Sequence, residues 1–134
     1  MRVILDTNIW ISFLISKKLD WLDELLINEN FVFLFSELLF KEFLDVADRP
    51  KIRKYFKTKK LIQVINYFES YGEIIHTSTS LNICRDPRDN FLLDLAVDGQ
   101  ANYLVSGDED LLTLKTIKKC NIISLKQFKE IAYE

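Results

Sequence analysis

Two acidic residues follow short apolar runs that have the character of buried strands. Asp6 comes directly after the run at residues 3–5, and Asp108 comes just after the run at residues 103–106. Unbroken apolar runs of this length are typical of parallel strands that are covered on both faces. The carboxyl ends of such strands meet at one edge of an α/β sheet, and that edge is where these folds place their sites. The sequence therefore predicts that Asp6 and Asp108 lie close together.

Two further acids are predicted to point inward from helices. Glu42 lies in a predicted helix over residues 37–47, with Leu38 and Leu39 one turn before it and Val46 one turn after it. Asp89 shares a helix face with apolar residues of the next two turns. A charged side chain on an apolar stripe costs free energy unless it pairs with another group or a metal. We therefore expect Glu42 and Asp89 to join the two strand-end acids.

Each of these acids also has an ordinary structural interpretation. Asp6 could cap the helix that follows it, and Asp89 could interact with the dipole of its first helical turn. Glu42 could extend to solvent or pair with a Lys or Arg. In contrast, Asp94 and Asp98 fall on the outer face of the same helix as Asp89, and we expect them to be solvated.

A set of four carboxylates favours a hard divalent cation. Oxygen ligands suit Mg²⁺ or Mn²⁺, and such ions assist phosphodiester hydrolysis. The only histidine is His76, which falls in a predicted strand and is expected to pack in the core, so no zinc site is predicted. The chain has no G-x-G-x-x-G sequence and no Walker lysine motif. Hydrolysis is therefore favoured over transfer from a nucleotide.

The elements that would position these acids alternate between strand and helix along the chain. Short connections between alternating strands and helices indicate a parallel sheet with helices on both faces, in one domain over residues 1–134. Residues 86 and 87, Asp-Pro, are predicted to start the helix whose first turn contains Asp89, and Ser124 with Gln127 is predicted to form a capping box. The predicted strands occupy residues 3–5, 31–35, 73–77, 103–106 and 121–124.

Composition places the chain among ordinary globular proteins. It has 134 residues, is 49% hydrophobic and 28% charged, and carries a formal net charge of −2. The small negative charge means that any contact with nucleic acid must be local. The N-terminus does not look like a signal peptide, no apolar run could span a membrane, and two cysteines suggest reduced thiols. These features predict a cytoplasmic protein.

Four motifs in order resemble those of the PIN domain family. They are the residues 5–8 (Leu-Asp-Thr-Asn), the helical Glu42 followed by residues 49–51 (Arg-Pro-Lys), residues 86–90 (Asp-Pro-Arg-Asp-Asn) and residues 104–108 (Leu-Val-Ser-Gly-Asp). The resemblance spans nearly the whole chain and is closest to small bacterial PIN proteins that are toxins of toxin–antitoxin pairs. It implies a metal-dependent endoribonuclease with a three-layer α/β/α sandwich and a parallel sheet of about five strands.

The resemblance also assigns expected roles to individual residues. It implies that Asp6, Glu42, Asp89 and Asp108 are the catalytic acids and that Asp6, Asp89 and Asp108 bind Mg²⁺ or Mn²⁺. Asn8, Ser36 and Ser106 are expected to hold these acids in place, and family members often carry Thr at the last of these positions. Asp110 is a possible additional ligand.

The expected partners are RNA, an antitoxin protein and a second copy of the chain. RNA binding is predicted for the basic segment at residues 49–60, in which Tyr55 and Phe56 could stack bases. The alternative is a solvated helix end whose aromatic rings belong to the core. The resemblance implies a homodimer and an antitoxin that covers the acidic edge. Trp10 and Trp21 are candidate contacts, and core packing is the favoured alternative for both. The basic residues expected to contact RNA are Arg49, Lys51, Arg53, Lys54 and Lys57.

Three other functional classes share parts of this pattern. A haloacid-dehalogenase-like phosphatase would carry a second Asp two residues after Asp6, where this chain has Asn8. A phosphorylation receiver domain would carry a pair of acids near the first strand and a Lys at the end of the last strand. A non-catalytic module that binds RNA or protein would keep the fold without the activity.

Overall fold

The computed structural model describes residues 1–80 and 89–133, and it is organised around one mostly parallel sheet. The strands lie in the order β3-β2-β1-β4-β6-β5. All neighbouring pairs are parallel except β5 with β6, which is antiparallel. The bounds of the strands are β1 (Arg2–Leu5), β2 (Val32–Phe35), β3 (Glu73–Ile74), β4 (Tyr103–Val105), β5 (Thr116–Ile117) and β6 (Cys120–Ile123).

Helices connect the parallel strands, and several begin with a side-chain cap at the carboxyl edge of the sheet. Ser36 accepts a hydrogen bond from the N–H of Leu39, and Ser124 forms the predicted capping box with Gln127. The helices of the described residues are α1 (Thr7–Ile15), α2 (Leu22–Leu26), α3 (Glu37–Ala47), α4 (Pro50–Arg53), α5 (Thr58–Ser70), α6 (Asn90–Asp98), α7 (Glu109–Leu112) and α8 (Leu125–Ala132), with a 3-10 turn at Lys17–Leu19.

Strand β2 shows how the sheet separates two helical layers. Phe33 points to one face, where it contacts Trp10 of α1 and Phe128 of α8. Leu34 points to the opposite face, since side chains alternate along a strand, and there it approaches Gly99 at the end of α6. A Cβ at Gly99 would lie 2.8 Å from the backbone oxygen of Leu95 and 2.9 Å from Leu34 Cδ1, so glycine allows the close approach at the end of α6 without a backbone shift. The result is an α/β/α sandwich.

The core is dense in aromatic rings on the α1 side of the sheet. Trp10 is 1% exposed and packs against several phenylalanine rings from β2, α3 and α5. This burial removes Trp10 from the candidate partner contacts. Trp21 is half-buried and packs against Phe128 and Tyr133. Within the described part of the chain, no helix is long and apolar enough to cross a membrane.

The sheet differs from expectation at its two edges. Strand β3 ends at Ile74, so His76 lies beyond it and is exposed, with its Nδ1 3.6 Å from Glu37 Oε1. The prediction that His76 packs in the core was wrong. The short antiparallel β5 was not predicted either. The predicted helix start at residues 86 and 87 lies outside the described residues.

Candidate active site

The acids lie at the carboxyl ends of β1 and β4, between which the strand order of the sheet changes direction. From β1 the chain proceeds to β2 on one side, whereas β4 flanks β1 on the other side. In open α/β sheets, a crevice forms outside the carboxyl ends of strands at such a switch point. Leu5 at the end of β1 is paired with Val105 at the end of β4. The residues that follow these strands, Asp6 and Ser106, are therefore neighbours.

Asp6 is fixed by both of its carboxylate oxygens. Oδ1 accepts a hydrogen bond of 2.9 Å from the N–H of Ile9, so Asp6 is the N-cap of α1. The interpretation of Asp6 as a helix cap is therefore correct, and the residue also lies among the other acids. Oδ2 accepts a hydrogen bond of 2.5 Å from Ser106 Oγ. Asp6 is only 6% exposed, and this burial raises its pKa. Hydrogen bonds from Ser106 and Ile9 oppose the rise in pKa, while the charge of Asp108 adds to it.

Ser106 links Asp6 to Asp108. Its hydroxyl donates to Asp6 and accepts a hydrogen bond of 3.0 Å from the backbone N–H of Asp108. Asp108 caps the short helix α7 by accepting a hydrogen bond of 2.8 Å from the N–H of Asp110. Ser106 is completely buried, so this geometry is set by the sheet. The predicted supporting residue Ser106 thus contacts both strand-end acids.

Glu42 also lies beside Asp6, although not because it belongs to the buried face of α3. The buried stripe of α3 consists of Leu39, Phe43 and Ala47, whereas Glu42 is exposed. The prediction that Glu42 lies on a core-facing stripe was therefore wrong. Its carboxylate instead accepts a hydrogen bond from Thr7 Oγ1, the first residue of α1. This contact ties α3 to the N-terminal end of α1, directly beside Asp6.

A single open groove collects these acids, and we call it the acid groove. It has a volume of about 230 Å³. Asp89, at the N-cap position of α6, is half-buried and lines the groove with exposed Asn8 and with Arg49. Apolar side chains of α6 and α7 supply part of its wall. The full lining is Asp6, Thr7, Asn8, Glu42, Val46, Arg49, Asp89, Phe91, Leu92, Asp108 and Leu111.

Not every predicted residue of the site lies in the acid groove. Ser36 caps α3 and lines a separate small cavity with Glu37 and His76, so its predicted support of the acids is not what the structure shows. Asp110 is half-buried beside the groove, where its N–H binds Asp108. Asp98, predicted to be solvated, accepts hydrogen bonds from Ser78 and Thr79.

The donors of the acid groove fit a hard divalent cation by their chemistry. The four acids of the groove offer carboxylate oxygens, and a cation nearby would favour the ionised form of the buried Asp6. Within residues 1–80 and 89–133, no three Asp, Glu, His or Cys side chains are grouped tightly enough to form a complete ligand set. Mg²⁺ keeps several waters and binds one or two carboxylates together with substrate phosphates. An open groove of spaced acids suits that mode of binding.

The predicted RNA-binding residues are divided between two places. Arg49 lines the acid groove. Lys54 and Lys57 line a second groove, of about 510 Å³, near the C-terminal end of α1. Lys51 and Arg53 are exposed on α4 and line neither groove.

Two groups near these grooves are not singled out by the sequence patterns. Thr7 falls within a motif without an assigned role, although a hydroxyl directly after a strand-end acid was a usable signal. Lys60 lies in the basic stretch, but its position over the Phe13 ring, 4.1 Å from the centroid, depends on tertiary packing.

Comparison with known proteins agrees with this fold. A sequence model of the PIN domain matches residues 2–110. An uncharacterized protein, MJ1680, of Methanocaldococcus jannaschii is 32% identical over 126 residues, which cover 89% of this chain and 78% of that protein. No solved structure matches the chain. The chain belongs to the PIN domain family. PIN domains are generally nucleases that use divalent metals, which places this protein among the hydrolases at a coarse level.

Proposed function

We propose that this protein is a metal-dependent endoribonuclease that hydrolyses RNA phosphodiester bonds in the acid groove. The observation that carries the proposal is the convergence of Asp6, Glu42, Asp89 and Asp108 on one groove at the switch point of a PIN fold. The net charge of the chain is −2, so any attraction for a phosphate must come from local positive groups. Arg49 lines the groove beside the acids and is such a group.

Asp6, Asp89 and Asp108 are the residues that would hold Mg²⁺ or Mn²⁺. When bound, such an ion activates water and offsets the charge that develops on the phosphate oxygens. The protein supplies the positioning. Ser106 fixes Asp6 relative to the backbone of Asp108, and Thr7 orients the carboxylate of Glu42.

Glu42 is suited to accept a proton because it is exposed to the groove rather than enclosed. Thr7 donates to one of its oxygens, so the carboxylate keeps a fixed direction while remaining accessible to water and substrate. Arg49 can bind a phosphate oxygen with its guanidinium group. Hydrolysis in this arrangement would leave a 5′-phosphate and a 3′-hydroxyl.

A cleavage assay with matched variants tests the proposal. Wild-type protein should cut single-stranded RNA with Mg²⁺ or Mn²⁺ and lose that activity with a chelator, and its products should carry 5′-phosphates. Glu42→Gln should reduce cleavage at least ~10²-fold, in the range seen when one charge-stabilising group is removed. Asp45→Asn is the control, since Asp45 is an exposed acid on the same helix that does not line the groove.

Two results would contradict the proposal in different ways. If Glu42→Gln cleaves RNA normally, Glu42 is a structural residue and the four-acid site is wrong. If no metal supports cleavage by the wild-type protein, the fold serves as a non-catalytic binding module, which was the alternative from sequence.

We also propose that the protein acts in the cytoplasm as the toxin of a toxin–antitoxin pair and forms a homodimer. The support is the resemblance of its motifs to small bacterial PIN toxins. A neighbouring reading frame for a small DNA-binding protein would agree with the pairing, and co-expression of that partner should suppress RNA cleavage. Light scattering that gives a clean monomer at micromolar concentration would count against the dimer.

A further inference from the structure

We propose that the groove at the C-terminal end of α1 is a second RNA-binding site, which takes an unstacked base of a single-stranded RNA whose scissile bond lies in the acid groove. We call it the basic–aromatic groove, and it is lined by Phe13, Lys17, Lys54, Tyr55, Lys57 and Lys60 among others. The proposal rests on the proposed nuclease function and adds the form of the substrate and the place where it is held.

The size and the apolar lining of the basic–aromatic groove suit a nucleotide. Its volume of about 510 Å³ lies within the ~300–1,000 Å³ that is usual for small-molecule sites. Phe13 is 1% exposed and belongs to the core, so it forms a fixed apolar wall. Tyr55 is 60% exposed, and an aromatic ring this accessible offers a face on which a base can stack.

The charge of the basic–aromatic groove favours a polyanion over a protein segment. Four lysines and one aspartate line it, in a chain whose formal net charge is −2. Lys60 Nζ is held 3.5 Å from Asp23 Oδ1 and 4.1 Å from the Phe13 ring centroid. Lys54 Nζ lies 5.2 Å from the Tyr55 ring centroid. Cations beside aromatic faces are the arrangement that binds single-stranded nucleic acid through stacking and charge together.

Helix α1 sets the distance between the two grooves. Asp6 stands at its N-terminal end and Ser16 at its C-terminal end, so at ~1.5 Å per residue the grooves are about 15 Å apart. At a stacked rise of ~3.4 Å, this separation corresponds to about four nucleotides, and to fewer if the strand is extended. Arg49 lines the acid groove, and the chain runs from it through α4 to Lys54 and Tyr55 of the basic–aromatic groove. A duplex keeps its bases paired and stacked, so only a single strand can offer a base to Tyr55.

The test is a binding measurement on single-stranded RNA of 12, 6 and 2 nucleotides by fluorescence anisotropy, in chelator so that no cleavage occurs. Tyr55→Ala should weaken binding of the longest RNA by about 5- to 100-fold, the range expected when one base-stacking interaction is removed. The deficit should shrink as the RNA is shortened, and Tyr55→Phe should restore binding. Tyr71→Ala is the matched control, because Tyr71 is 71% exposed and lines a different groove.

Other results would contradict either the proposed RNA-binding groove or the proposed nuclease function, and the two can be told apart. If Tyr55→Ala binds the longest RNA as tightly as Tyr71→Ala does, the basic–aromatic groove does not hold the substrate. If wild-type protein binds a duplex of the same sequence as tightly as the single strand, the groove contacts only the phosphate backbone, and the proposal that it takes an unstacked base at Tyr55 is wrong. If Tyr55→Ala behaves as expected but no metal supports cleavage, the groove stands and the nuclease proposal fails.

Discussion

The two grooves lie at opposite ends of α1 and carry opposite charge. The acid groove is lined by four acids and one arginine, and the basic–aromatic groove by four lysines and one aspartate. Two acids of the acid groove follow strands: Asp6 comes directly after β1, and Asp108 comes three residues after β4. Hydrogen bonds from Ser106 and Ile9 fix Asp6. The basic–aromatic groove is built from long side chains on a helix end and a loop. Strand topology thus brings the strand-end acids together, whereas the packing of helices brings the lysines and aromatic rings together.

The largest expected effect is the loss of activity and metal binding on Asp6→Asn. Asn caps a helix as well as Asp does, so α1 should remain intact. Without metal, removal of a buried charge that repels Asp108 should leave the free energy of unfolding unchanged or slightly higher. Mn²⁺ at 100 times its Kd should stabilise wild type by ~2.7 kcal/mol, and the variant should lose most of that gain and at least ~10²-fold in cleavage.

Thermal melts with and without Mn²⁺, together with the cleavage assay, measure both effects of Asp6→Asn. If the variant keeps the full metal-induced shift in Tm, Asp6 does not hold the metal. An equivalent neutral change in the other groove, Lys17→Gln, should leave that shift unchanged.

A smaller effect is expected when the link between the strand-end acids is removed. Ser106→Ala leaves Asp6 Oδ2 and the Asp108 N–H without their shared partner in a buried place, which should cost about 1–3 kcal/mol of unfolding free energy. Cleavage should fall roughly 10-fold, because the carboxylates lose their fixed geometry. Ser106→Thr retains the hydroxyl and should recover most of the activity. Equal activity of the two variants would mean that Ser106 serves only packing.

The basic–aromatic groove should show its contribution in the salt dependence of RNA binding. Charge reversal at both Lys54 and Lys57 should weaken binding and flatten the plot of log affinity against log salt concentration. The slope for a single strand changes by ~0.7 for each phosphate that the protein no longer neutralises. Cleavage of a dinucleotide should be affected less than cleavage of a long RNA. Unchanged binding at low salt would exclude these lysines from the RNA path.

The smallest expected effect concerns how the free energy of unfolding depends on pH. The contributions of Asp6 and Asp98 should change with pH in opposite directions. Burial raises the pKa of Asp6, so the metal-free fold loses stability as pH rises through that raised pKa, and Asp6→Asn should remove the loss. The hydrogen bond from the Thr79 hydroxyl lowers the pKa of Asp98, so its contribution is present above pH 3.8 and is lost as pH falls through the lowered pKa. Asp98→Asn should therefore destabilise the protein at pH 7 and have little effect in strong acid. Denaturant melts from strong acid to pH 7 measure both, and a common sign would contradict the assignment.

Local sequence patterns were sufficient for the main elements of the fold. Apolar runs predicted the parallel strands, and cap residues such as Ser124 with Gln127 predicted where helices begin. The edges of the sheet were less predictable, because β3 and β5 are two-residue strands that depend on their neighbours for pairing. His76 was misplaced for the same reason, since β3 ends before reaching it.

The sequence by itself determined that strand-end acids stand beside a parallel sheet, because strand and cap signals are local. Only the tertiary structure decided how the other acids reach them. The packing of α3 against α1 sets which turn of α3 faces Asp6. As a result, the exposed Glu42 lines the acid groove and is held there by a hydrogen bond from Thr7, whereas Ser36 lines a different cavity. The basic–aromatic groove likewise exists only after α1 and the start of α5 have been packed together, which brings Lys60 onto Phe13 across 47 residues of chain.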